Sequence, residues 1–167
     1  MRLFGRFAVV GCLLVAAGAA HADESKFLQS LQGSFAGKGT VKVDTDAPTL
    51  SVSCTFKSNA TSTSLSLNGT CRGLVLVTRD ISADLKSSGA KYTGTYIGSR
   101  TGPAQLTGSR SGNAINLIIH WAKVINGERS AKLTVEKTGG GMRLTVVDRD
   151  PKTGKGVVTS RIDLLRT

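Results

Sequence analysis

The chain predicts an all-β protein, an antiparallel up-and-down β-barrel of about 8–10 strands preceded by a short helix. Three observations carry this. Apolar and polar residues alternate over many short runs, the period of a strand with one buried and one wet face. The runs recur roughly every 8–12 residues with brief turn sequences between them, which makes successive strands antiparallel neighbours. The 167 residues include 20 glycines and only 3 prolines, and Ser and Thr fill the space between the apolar positions, as in a β-rich domain rather than a disordered chain. Closing such a meander removes both exposed edges, which favours a barrel over a sandwich.

Residues 1–22, MRLFGRFAVVGCLLVAAGAAHA, read as a secretory signal peptide. Arg2 and Arg6 make the positive start, Phe7 to Ala20 is the apolar run, and Ala20-His21-Ala22 is a small-x-small cleavage sequence. Cys12 sits in a loose lipobox, but the longer apolar run follows it rather than precedes it. Residues 23–167 then form a single barrel domain, periplasmic or secreted. No later run approaches the roughly 18 apolar residues of a membrane span. Loss of Arg2 and Arg6 takes the 22 basic residues to 20, against 11 acidic ones, a net charge near +9.

Glu24 to Gln32 reads as the short helix, with Phe27, Leu28 and Leu31 on one face and Gly33 ending it. It is too short to stand alone and suits the plug of a barrel end. Gly33 to Val43 is the first strand, with Gly37 and Gly39 marking a bend or a close backbone approach. Asp44 to Pro48 turns the chain. In the next two strands Leu50, Val52, Cys54 and Phe56 share one face, as do Leu65, Leu67, Gly69 and Cys71. A hairpin about Ser62 puts Cys54 opposite Cys71. They are the two cysteines left after export, which implies a disulfide.

Leu74, Val75, Leu76 and Val77 are apolar on both parities, either buried on both faces or exposed to a partner. Ile81, Ala83 and Leu85 continue one face. Tyr92, Gly94 and Tyr96 form the next, then Ala104, Leu106 and Gly108. Ile115, Leu117, Ile119 and Trp121 are the strongest apolar face in the chain, with Asn116 and His120 opposite. Ile118 breaks the outer pattern, so it should lie under the helix or in an interface. Asn126-Gly127 signals a tight hairpin. Ala131, Leu133 and Val135 follow, then Met142, Leu144 and Val146, and finally Val158, Ser160, Ile162 and Leu164. Phe35, Tyr92, Tyr96, Ile115, Leu117, Ile119 and Trp121 are the candidate core or ligand-pocket residues.

Leu31-Gln32-Gly33-Ser34-Phe35-Ala36-Gly37 resembles the opening of lipocalin-like (calycin) barrels, where a short helix leads into a Gly-x-Trp first strand. Phe35 stands at the tryptophan position. Tyr92-Thr93-Gly94-Thr95-Tyr96 and Leu106-Thr107-Gly108 are similar to glycine-bearing strands of small exported proteobacterial barrels, and bacterial metalloprotease-inhibitor barrels share the size, compartment and single disulfide. The resemblance implies the barrel fold, and with it ligand binding or inhibition.

Catalytic chemistry is sparse. His120 is the single imidazole after residue 22, set mid-strand with no nucleophile-elbow pattern around any serine. A zinc site of His and Cys ligands is nearly excluded, and no cofactor or metal is expected. Asp44 with Asp46, and Asp148 with Asp150, flank turns. The basic charge lacks the aromatic interleaving of a single-strand nucleic-acid binder, and in an exported protein it points to an anionic envelope surface instead. Two non-catalytic functions follow. One is a barrel binding a small apolar or lipidic ligand, which needs an open interior around Trp121. The other is an interaction protein, a protease inhibitor or envelope accessory factor, with a filled interior.

Overall fold

The computed structural model describes residues 16–73, 77–98 and 101–167. Among these residues one helix, α1 (Ala16–Ser30), precedes ten strands. They are β1 (Gly33–Val41), β2 (Leu50–Ala60), β3 (Ser64–Gly73), β4 (Val77–Ser88), β5 (Lys91–Ile97), β6 (Ala104–Ser111), β7 (Ala114–Ile125), β8 (Glu128–Lys137), β9 (Gly141–Arg149) and β10 (Gly156–Arg166). Each strand pairs antiparallel with the next, and β10 closes on β1. The result is the antiparallel up-and-down barrel that the alternation predicts.

The cysteine hairpin has the register that the alternation implies. Cys54 faces Cys71 with 4.1 Å between their Cα atoms, and the two are bonded. Phe35, Phe56 and Gly69 line up across β1, β2 and β3. The Phe56 ring occupies the space a side chain at Gly69 would need. Gly37 marks a close approach: a Cβ there would run into the Asp163 carbonyl of β10. Asn126 and Gly127 have φ of 51° and 79°, the two positive values that a tight hairpin turn requires.

Helix α1 plugs one end of the barrel. Phe27, Leu28 and Leu31 are buried on it, and so is Glu24. The Tyr92 hydroxyl donates to one Glu24 oxygen, and Arg110 Nε donates to the other at 2.8 Å. Arg110 also pairs with Asp23, and its guanidinium lies 4.8 Å from the centre of the Phe27 ring. A buried carboxylate is tolerated only when paired and hydrogen-bonded, and Glu24 has both partners. Arg166 closes the other side of the plug. It donates to the Ser30 and Gln32 carbonyls, which the helix end leaves without intrahelical donors, and it stacks on Phe35.

Several details differ from the sequence pattern. The helix starts at Ala16 rather than Glu24 and runs through Ala22-Asp23; Met1 to Val15, with Cys12, lie outside the described residues. The first strand stops at Val41, and Val43 lies beyond it, exposed. Ser160, Ile162 and Leu164 share a face as a plain alternation requires, but Val158 does not join them. Val158 pairs with Val147 and Ser160 with Val146, so Thr159 is an extra residue in a β-bulge. The bulge inverts the parity, turning Thr159 in and Val158 out. Ile118 is not covered by the helix. It stands on the outer face between Thr107 and Lys132, part-exposed. Leu74, Val75 and Leu76 lie outside the described residues, and Val77 is exposed.

Candidate functional site

Three places can carry chemistry: the interior, the mouth opposite the plug, and the outer face of β1–β3. Phe35, Tyr92, Ile115, Leu117, Ile119 and Trp121 point inward and are buried, while Tyr96 is partly buried beside Trp121. Their two rings meet edge to face, with centroids 5.9 Å apart. The described core of 25 apolar residues, drawn from the helix and every strand, is between 0% and 8% accessible. Side chains lining an open lumen would remain accessible to a water-sized sphere, so these residues form a packed core. Burial raises the pKa of Tyr92, and its hydrogen bond to the Glu24 carboxylate raises it further. Both tyrosines therefore stay neutral, since burial raises Tyr96 too.

The mouth holds a polar group that the core does not satisfy. Asp148 on β9 points inward and is buried, and the hydroxyl of the bulge residue Thr159 donates to its Oδ2. Burial pushes the Asp148 carboxyl above the ordinary value, against the lowering effect of Thr159 and Asn126 and with a further push from Asp44. Asn126 faces the carboxylate closely enough to act on it electrostatically, yet Oδ1 has no partner in hydrogen-bond geometry. Trp121 Nε1 is likewise buried without a partner. His120 is on the outer face, as the parity predicts, with Nε2 2.9 Å from the Thr107 hydroxyl. Among the described residues no three His, Cys, Asp or Glu side chains gather as a metal site.

The outer face of β1–β3 is concave. Two adjoining grooves of about 750 and 640 Å³ share Ala36, Thr55 and Thr70 as a common floor. The residues that make the floor are small, and the pairing fixes their rows. Lys38, Ser53 and Arg72 are directly opposed across β1, β2 and β3, and Ala36, Thr55 and Thr70 form the next row. Lys57 stands on the wall. Thr70 donates to Asp80 at 2.8 Å, which occupies that acid. Lys38, Lys57 and Arg72 make no ion pair among the described residues. Three unpaired cations surround a hydroxyl floor, an arrangement that offers charge and donors to an anion.

Sequence reasoning places the interior residues but not this groove. Its signal is present as the polar parity of three strands, KGT, SVSCT and TCRG, whose outward positions are small or basic. Alternation says which residues face out. It does not say that the outer face curves inward. Among the described residues no helix is long and apolar enough to cross a membrane, a statement that does not bear on strands. No protein-family model matches the chain, and no curated protein matches it in sequence.

Proposed function

We propose that this protein is an exported, non-catalytic recognition barrel of the lipocalin-like kind, working in the periplasm or outside the cell through its outer surface. It would bind an anionic component of the envelope in the groove over β1–β3. The observation that carries this reading is the packed interior combined with the unpaired row of Lys38, Ser53 and Arg72 above a floor of Thr55 and Thr70. Lys38 and Arg72 supply charge, Ser53 and Thr55 supply hydroxyl donors, Thr70 spends its own on Asp80, and Ala36 leaves room. The disulfide fits an exported chain. An enclosed apolar ligand would need the core around Trp121 to open, so the packing speaks for the surface instead. Calorimetric titration with inorganic pyrophosphate and with a uronic-acid oligosaccharide tests the reading. One of them should bind saturably, and Lys38→Glu with Arg72→Glu should weaken it by at least about tenfold while leaving Tm unchanged. Equal binding by the double variant, or no binding of either, would overturn it.

A further inference from the structure

The groove over β1–β3 is patterned along its length, and strand pairing sets the pattern out in rows. Lys38, Ser53 and Arg72 form the row at one end. Lys57 stands between Ser34 and Asn68 in the row at the other. The middle row of Ala36, Thr55 and Thr70 carries no cation, and Asp80 extends it on β4. Ser53 and Lys57 are four residues apart on one strand. The two cationic ends are therefore separated by about 13 Å of extended backbone. The grooves of about 750 and 640 Å³ meet over the middle row, so one extended molecule can touch both ends.

Charge along this path runs positive, then neutral to negative, then positive. The other acids nearby are engaged: Asp163, opposite Lys38 on β10, pairs with Arg143 and Arg161, and Asp84 accepts from Ser66 at 2.6 Å. Asp80 accepts from Thr70 through one oxygen, and its other oxygen takes no side-chain donor among the described residues. A ligand charged at every position would set an anion against Asp80. A ligand with a neutral, hydroxylated ring at that point would donate to it instead. We infer, resting on the reading of the groove as an anion site, that it takes an acidic oligosaccharide in which anionic sugars alternate with neutral ones. One anionic group lies between Lys38 and Arg72, the next on Lys57, and the neutral ring between them over Thr55 and Thr70. Ser53 and Asn68 supply further hydrogen bonds to ring hydroxyls. Exposed cations are weak partners singly, and a ligand that bridges both ends gains from holding them together.

Calorimetric titration with oligosaccharides that alternate a uronic acid with an N-acetylhexosamine tests this. The disaccharide carries one carboxylate, and the tetrasaccharide carries two with a neutral ring between them. The tetrasaccharide should bind at least about tenfold more tightly than the disaccharide, and the hexasaccharide no more than about twofold more tightly again, because both ends are then occupied. Lys57→Glu should remove the gain of the tetrasaccharide and leave the disaccharide within about twofold. A uronic-acid tetrasaccharide charged on every ring should bind more weakly than the alternating one, and Asp80→Asn should raise its affinity by about threefold. Lys132→Glu makes the same change of net charge on the outer face of β8, away from the groove, and should change nothing. All three residues are exposed, and an unchanged Tm confirms folding. Equal binding of disaccharide and tetrasaccharide, affinity that keeps climbing with length, equal loss with Lys132→Glu, or preference for the uniformly charged chain would overturn the inference. So would saturable binding of pyrophosphate with none of any oligosaccharide, which would leave the anion site standing. Binding of neither would remove the anion site and the inference together.

Discussion

The two ends of this barrel solve opposite problems. At the plugged end the charged groups have their partners, Glu24 with Tyr92 and Arg110, Arg110 also with Asp23, and the helix-end carbonyls with Arg166, and only the Ser58 hydroxyl, opposite Gly33, is buried without one among the described residues. At the mouth, Trp121 Nε1 and Asp148 Oδ1 are buried without hydrogen bonds, and valines stand in solvent. A buried polar group without a partner costs roughly 1–3 kcal/mol, so the mouth, with two such atoms including a carboxylate oxygen, gives up more than the plug with its one hydroxyl. Such an asymmetry is expected when one end holds the fold together and the other is held less tightly.

The sharpest way to break this contrast is at the plug. Arg110→Ala leaves Glu24 buried without its cation and should cost roughly 3–5 kcal/mol by urea denaturation. Arg110→Lys, which restores charge but not the fork, should recover part of that. A cost near zero would mean that the plug is not anchored through Glu24. Reduction of the Cys54–Cys71 bond, which joins residues 17 apart, should cost roughly 3 kcal/mol on the chain-entropy account. Two alkylatable thiols in native, unreduced protein would refute the bond itself.

These effects are expected from residues that the sequence makes legible. Alternation places Cys54 and Cys71 on one parity, and the positions of Ile115, Leu117, Ile119 and Trp121 follow in the same way, because a one-residue slip would expose all four. The plug's electrostatics are not legible, since Glu24 and Arg110 are 86 residues apart and only the closed topology brings them together. The β10 bulge escapes for a different reason. An extra residue leaves no mark on composition and simply shifts the phase, so Val158 looks like a core residue and Thr159 like a surface one. The groove over β1–β3 depends on sheet curvature, which a period of two does not encode.

At the mouth the effects should be smaller, and pH should distinguish them. The folded state raises the Asp148 carboxyl, so it binds that proton more tightly than the unfolded chain does. The associated stability is present at low pH and is lost as pH rises from the unfolded value, near 3.8, through the raised one. Asp148→Asn should therefore lose less stability than the wild type between roughly pH 4 and pH 7. Parallel Tm-against-pH curves would contradict this. At the rim, Val124→Ser should change stability by no more than about 0.5 kcal/mol, as for a surface site that packs on nothing.

The packed interior is the claim on which the outer-surface reading depends, and Trp121 reports on it directly. Trp121→Ala should cost roughly 3–5 kcal/mol, and Trp121→Phe, which loses only an unpartnered N–H and some volume, much less. The decisive measurement is Trp121 emission during titration with fatty acids of increasing chain length. With the core packed, the emission should be blue-shifted, poorly quenched by iodide, and unchanged along the whole series. A saturable one-to-one change in emission, abolished by Leu106→Trp, would mean that the barrel encloses a ligand after all.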